Sequence, residues 1–247
     1  MEVSRDHPRY RSLATRERLA QLNRAGIVST TGLIAHGRGE AFDYLLGERT
    51  TPDALLAERV AVAYLLEARN PVISVNGNVA ALCPEEVIAL SEAIPAKIEV
   101  NLFHRTEGRM EKVIRHMEEA GAKKVLGRNP DAELDGIASD RAHCTQEGIF
   151  SADVVLVPLE DGDRAEALVR AGKIVIAIDL NPLSRTARAA TVSIVDEVTR
   201  ALPNMIGFVR DLREDISRRR RLISSYDNRA NLRKTIKSIC SYLQTAE

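Results

Sequence analysis

Short β-branched runs alternate with helical patterns through the middle of this chain. Pro71 to Val75, Ala96 to Val100, Lys124 to Leu126, Asp153 to Val157, Lys173 to Ile178 and Thr191 to Val195 read as strands. Several lack the apolar–polar alternation of a half-exposed strand, as expected for a parallel sheet covered on both faces. Pro84, Glu85 and Glu86 open a helix, with proline and acids at favourable first-turn positions. Thr106 to Ala120 is helical and closes at Gly121; Asp163 to Ala171 is helical and closes at Gly172. This rhythm predicts an α/β fold with a doubly wound, mostly parallel sheet flanked by helices. The ends differ. Tyr10 to Ala25, Pro52 to Ala68 and the part from Val198 onward carry apolar residues at helix spacing. The expectation is a single α/β domain over residues 1–247, with a helical N-terminal part to about residue 70 and a helical C-terminal part from about residue 198. There is no internal repeat, low-complexity tract or linker.

Composition narrows the function classes. The chain has 35 Lys+Arg against 35 Asp+Glu, so net charge gives no sign of nucleic acid or a membrane surface as partner. Arg218 to Arg221 is the one charge run, read as a solvated helix face. Cys83, Cys144 and Cys240 stand far apart and form neither a zinc ribbon nor a disulfide framework. No run is long and apolar enough to span a bilayer, so a soluble protein of the reducing cytoplasm is expected.

Candidate chemistry begins at GLIAHGRGEAFDYLLGE, Gly32 to Glu48, which packs His36, Arg38, Glu40 and Asp43 around Gly37 and Gly39. Glycines let backbone approach a ligand, and Arg and His meet phosphate or carboxylate oxygens; this predicts an anion site. Ligands of open α/β sheets bind at the carboxyl ends of strands. Just past the predicted strands stand Asn76, Gly77 and Asn78; Asn101, His104 and Arg105; Glu160 to Asp163; DLNPLSRTAR from Asp179 to Arg188; and Asp196 with Glu197. Within DLNPLSRTAR, Asp179 can take ribose hydroxyls, Asn181 a base edge or ribose, and Ser184, Arg185, Thr186 and Arg188 phosphates. A capped turn with exposed arginines explains that segment equally well. The Asn-Gly turn at Asn76 is as readily local geometry, and His116 and His143 read as surface or structural residues. Glu160, Asp161 and Asp163 offer a weaker case for Mg²⁺. There is no GxxxxGK[ST], no third glycine after Gly37 and Gly39, no GxSxG and no HExxH.

The Gly32–Glu48 segment, NPVISVNGNVAAL (Asn70 to Leu82), ADVVLVPLEDGDRAEALVRAGK (Ala152 to Lys173), DLNPLSRTAR and ALPNM (Ala201 to Met205), with HPRY (His7 to Tyr10), resemble the archaeal phosphopantothenate synthetases, or 4-phosphopantoate–β-alanine ligases. The resemblance runs over nearly the whole chain. It implies a Rossmann-like homodimer that joins 4-phosphopantoate to β-alanine at the expense of ATP, releasing AMP and pyrophosphate in coenzyme A biosynthesis. It places ATP on Arg16, Arg38, Asp179, Leu180, Asn181, Arg185, Thr186, Glu197 and Val198. The family often has Asn where this chain has Glu197, which leaves a backbone contact there intact and a side-chain one in doubt.

Joined to the residue reading, this gives Arg38, His36 and Glu40 as catalytic candidates between nucleotide and pantoate. Gly37, Gly39, Asn76, Asn78, Asn101 and Arg105 are the substrate-binding candidates. Adenylation supplies the leaving group a carboxylate lacks; arginines offset the crowded anions, with Mg²⁺ expected to help. The competing readings are a nucleotide-binding regulatory protein and a related ligase for another acid or amine.

Overall fold

In the computed structural model, which describes residues 4–7 and 9–245, six parallel strands form one sheet. In chain order they are β1 (Pro71–Val75), β2 (Lys97–Val100), β3 (Val125–Leu126), β6 (Val154–Pro158), β7 (Ile174–Ile178) and β8 (Val192–Ile194). A two-stranded antiparallel ladder, β4 (Ala132–Glu133) and β5 (His143–Cys144), lies between β3 and β6 in the chain. The spatial order is β3-β2-β1-β6-β7-β8, so the chain reverses direction across the sheet between β1 and β6. That reversal opens a crevice at the carboxyl ends of those two strands. Registers such as Ile73 beside Ile98 and Val72 beside Val155 fix which residues face which side.

Alternate residues of each strand enter opposite cores. Ile73, Val75, Leu156, Ile176 and Ile178 join one cluster, whereas Val72, Val155, Val157, Val175 and Ala177 join the other. Burial on both faces is why these strands show no polar alternation in sequence. The first core is completed by α3 (Pro52–Glu67), α4 (Gly77–Leu82), α5 (Pro84–Ala93), α6 (Glu107–Glu119) and α9 (Val198–Leu212). The second is closed by α7 (Gly162–Arg170) and by Leu134, Cys144 and Ile149 around the small ladder. All six expected strands are present, their ends within one residue of the sequence reading. The ladder was not foreseen: each of its strands is two residues long and carries no periodicity.

The remaining helices are α1 (Tyr10–Arg24), α2 (Thr30–Leu46), α8 (Arg185–Ala189), α10 (Ile216–Ser225) and α11 (Asn228–Thr245). The Gly32–Glu48 segment is therefore helical, which its three glycines conceal. Ser29 caps its start, its hydroxyl accepting from the Gly32 N–H at 3.0 Å, and Gly47 closes its end in the left-handed region. Tertiary contact outweighs low propensity here: α2 packs on α1, α4 and α11, and Leu46 is buried with Leu180, Val195 and Leu232. The Arg218–Arg221 run divides. Arg219 is buried and pairs with Glu67 at 2.6 Å, while its three neighbours are exposed. Of HPRY, Pro8 lies outside the described residues.

Candidate active site

A cavity of about 600 Å³ lies over the sheet where the chain reverses. One wall is the inner face of α2, with His36, Arg38, Gly39 and Phe42. The floor comes from strand ends: Asn76 to Asn78 after β1, Leu102 to His104 after β2, Leu159 to Gly162 after β6, Asp179 to Asn181 after β7, and Glu197 with Val198 after β8. Ser184, Arg185 and Thr186 complete the β7 side, and Arg109 and Arg141 the β2 side.

The β7 side is prearranged by local bonds. Asp179 accepts from the Asn181 N–H at 2.9 Å and from the Ser184 hydroxyl, while the Ser184 hydroxyl also caps α8 at the Ala187 N–H. Burial pushes the Asp179 carboxyl up, opposed by those two bonds and the Arg38 charge. The Asn181 side chain accepts from the Leu183 N–H, and the Thr186 hydroxyl donates to the Glu160 carbonyl at 2.8 Å. A side chain at Gly162 would place its Cβ 2.5 Å from that of Arg185, so glycine is what lets the two loops meet. Arg185 stands at the rim, paired with Asp163 at 2.6 Å and Glu166 at 3.0 Å. Glu197 caps α9 through the Thr199 N–H at 2.8 Å. Burial raises its pKa.

Several expected site residues have structural duties in this geometry. The Asn76 amide accepts from the Asn78 and Val79 N–H groups and donates to the Pro158 and Leu159 carbonyls. All four of its hydrogen-bonding positions are taken, and it ties β1 to β6 across the crevice. Asn78 lines the cavity and donates to the Gly32 carbonyl at 2.9 Å. Asn101 is fully buried outside the cavity and holds the Arg141 and His143 carbonyls. Arg105 also lies outside the cavity, bonded to the Gly127 carbonyl at 2.7 Å. Arg16 and Glu40 do not line the cavity; they meet at 2.9 Å, one turn of α2 beyond His36, with the Ser12 hydroxyl 2.6 Å from Glu40. Burial would raise the Glu40 carboxyl, but Arg16 and Ser12 hold it below its ordinary value.

The two glycines also change meaning. Inside a helix their N–H groups point along the axis at carbonyls four residues back, not at a ligand. Gly39 gives the wall its smoothness, with Leu180 Cδ1 3.7 Å from where its Cβ would stand. Gly37 is exposed and faces open space.

Sequence reasoning missed the buried charge beneath the floor. Glu160 receives both Arg141, at 3.0 Å, and Arg164, which is fully buried and also donates to the Ser74 hydroxyl at 3.2 Å. Asp161 lies 3.1 Å from Arg141 Nε. Arg141 belongs to the ladder insertion, outside the segments that carry the resemblance, and Arg164 lies within the Ala152 to Lys173 segment in the first turn of α7, where it reads as an ordinary helix residue. Behind α2, Asp43 takes both terminal nitrogens of Arg200, at 2.5 and 3.0 Å. Arg200 also donates to Asp196 at 2.7 Å, and the Thr50 hydroxyl donates to Asp196 at 2.6 Å. Burial alone would lower the Arg200 pKa, but the two carboxylates hold it above its ordinary value. This bridge fixes the α2 wall to the start of α9. With Glu160 and Asp163 engaged by arginines, no group of three His, Cys, Asp or Glu among the described residues is placed to hold a metal ion.

The chain matches the family model described as phosphopantothenate/pantothenate synthetase over residues 53–242. It is 55% identical to the 4-phosphopantoate–β-alanine ligase of Methanosarcina mazei, over 99% of this chain and 96% of that one. The protein of the same name from Methanospirillum hungatei is 56% identical over 86% of this chain and 87% of its own length. Its namesake from Thermococcus kodakarensis is 50% identical over 92% and 88%. α1 and α2 precede the region covered by the family model, but the Methanosarcina match takes them in. The chain therefore belongs to the phosphopantothenate/pantothenate synthetase family.

Proposed function

We propose that the chain is a 4-phosphopantoate–β-alanine ligase working through an acyl-adenylate, as a single α/β domain in the cytoplasm. The observation that carries this is identity of 50% or more, over most of both chains, to relatives bearing that name. The cavity suits the chemistry. Its β7–β8 side offers Asp179, Leu180, Asn181, Thr186, Glu197 and Val198 to a nucleotide, and Arg38 stands near enough to Asp179 to influence its ionisation. A carboxylate oxygen of the acid attacks the α-phosphorus of ATP, the bond to the β-phosphate breaks, and pyrophosphate leaves. The β-alanine nitrogen then attacks the acyl carbon, the carbon–oxygen bond to AMP breaks, and nitrogen loses a proton. Arg38 binds charge that develops on the phosphates, and Arg185 joins it by exchanging its acids at the rim. Arg16 acts only by leaving Glu40, to which it is bonded in this structure.

Mg²⁺ would ride on the nucleotide's phosphates with at most one carboxylate, a common arrangement for this ion. A homodimer is part of the same proposal, supported by Ile34 and Leu243, which are 60% and 52% exposed on α2 and α11. Incubation with ATP, 4-phosphopantoate and β-alanine is expected to yield AMP and the amide by mass spectrometry. ADP in place of AMP overturns the adenylate route, and no amide overturns the ligase.

His36 is the proton acceptor in this scheme. Burial holds its imidazole below the ordinary 6.5, with Glu40 opposing and Arg16 reinforcing the shift, so it is neutral and basic at pH 7. The acidic limb of kcat at saturating β-alanine is expected below pH 6.5. His36→Gln is expected to lower kcat about 100-fold and remove that limb. A limb unchanged in the variant rules His36 out.

A further inference from the structure

We propose that Arg109 receives the phosphate of the acid substrate and is thereby the residue that selects a phosphorylated acid over its unphosphorylated form. This rests on the ligase reading and assigns the end of the cavity that the nucleotide residues leave open. Arg141 in the same wall, Arg164 and Arg219, all buried, and the part-buried Arg200 each meet a carboxylate. Arg109, half-buried in the cavity wall, meets none among the described residues. Its Nε and Nη2 donate to the Ile27 carbonyl at 3.3 and 3.1 Å, and its Nη1 donates to the His104 carbonyl at 2.9 Å. Those three bonds hold the guanidinium plane and leave two of its five N–H groups unused. Burial lowers its pKa and the nearby Arg141 charge lowers it further, so the surroundings supply repulsion where an anion would supply attraction. An uncompensated, clamped guanidinium in a cavity wall is a receptor for an oxyanion.

Position decides which anion. Arg109 stands in the first turn of α6 on the β2 side, whereas Asp179 to Asn181 follow β7. Three strand spacings separate β2 from β7 in the sheet, roughly 14 Å. The acid's carboxyl must lie against the nucleotide to be adenylated, so its far end, which carries the phosphate, points toward β2. The carboxylate of β-alanine is the weaker candidate, because its short chain keeps it close to the acyl carbon and hence to the nucleotide.

The test is acid-dependent exchange of pyrophosphate into ATP without β-alanine, comparing 4-phosphopantoate with pantoate. Arg109→Gln is expected to raise KM for 4-phosphopantoate about 10- to 100-fold, the range for a lost charge-assisted hydrogen bond. KM for ATP is expected to stay within about two-fold, and the preference for the phosphorylated acid to collapse. Because Arg109 also orders the Ile27 and His104 backbone, Arg109→Lys is measured beside it. This variant keeps the charge and is expected to show a smaller rise with most of the preference retained. Wild-type exchange with both variants keeping the full preference and KM overturns this assignment alone, as does a rise confined to KM for β-alanine in the complete reaction. No exchange by the wild type overturns the adenylate reading together with it.

Discussion

Replacing Arg38 by alanine is expected to lower kcat/KM about 100- to 1,000-fold while the protein stays folded, the loss typical of removing one donor to developing charge. Arg38 is exposed toward the cavity and makes no side-chain hydrogen bond or ion pair among the described residues. Its removal breaks nothing in the resting structure, and surface changes of that kind usually stay within about 0.5 kcal/mol of stability. Arg185 is a useful contrast, because it is already held by Asp163 and Glu166 and must give up those partners to bind phosphate. Arg38→Lys keeps a charge without the planar fork, so its activity should fall between wild type and alanine. AMP release and thermal unfolding measured on the same samples check the expectation. Near-normal turnover, or activity lost in step with melting, removes Arg38 from the proposed role.

The sheet was legible because its signal is redundant. Runs such as Ile174–Ile178 must be apolar on both sides, and no helix amphipathicity competes with them. The wall of the cavity was not legible as a helix, because Gly32, Gly37 and Gly39 argue locally against one. Gly32 is there because a Cβ would stand 2.5 Å from the Asn78 side-chain oxygen, a long-range contact that no window of sequence contains. The β7 turn was found by looking just past a strand, a rule that works where the strand end itself faces the cavity. The same rule led to Asn76, whose amide is consumed in holding neighbouring backbone, and to Asn101, whose amide nitrogen holds two carbonyls outside the cavity. Arg109 lies further on, in the first turn of α6, where an arginine looks like any solvated helix residue. Its missing counter-ion becomes visible only when the surroundings are known.

The bridge that holds this wall has an acid at its back, and Glu58→Gln is expected to stabilise the protein increasingly as pH rises. Glu58 on α3 is fully buried, its Oε1 is 3.5 Å from the Asn204 amide, and its Oε2 has no partner. Burial, and next the Asp196 charge, push its pKa up from 4.5 to about 9; Asn204, Arg59 and Arg200 oppose this. The sign follows from the proton count. Below pH 4.5 both folded and unfolded chains carry the proton, and Glu58 makes no pH-dependent contribution. Between 4.5 and about 9 the unfolded chain releases it while the folded chain retains it, so stability falls as pH rises. Above that range both are ionised and the loss levels off. At pH 7 the penalty is about 3 kcal/mol, at 1.36 kcal/mol for each unit between solution pH and the unfolded value. Glutamine keeps the shape and removes the titration. Its advantage in melting temperature should be small at pH 5 and reach several degrees at pH 8. An advantage independent of pH would show that Glu58 does not hold its proton. The neighbouring Asp196 and Arg200 lock Asp43, and with it α2, to the start of α9, so a neutral side chain here protects that lock. A glutamate that ionised would set a third buried carboxylate beside Asp43 and Asp196 with only one arginine bridging them.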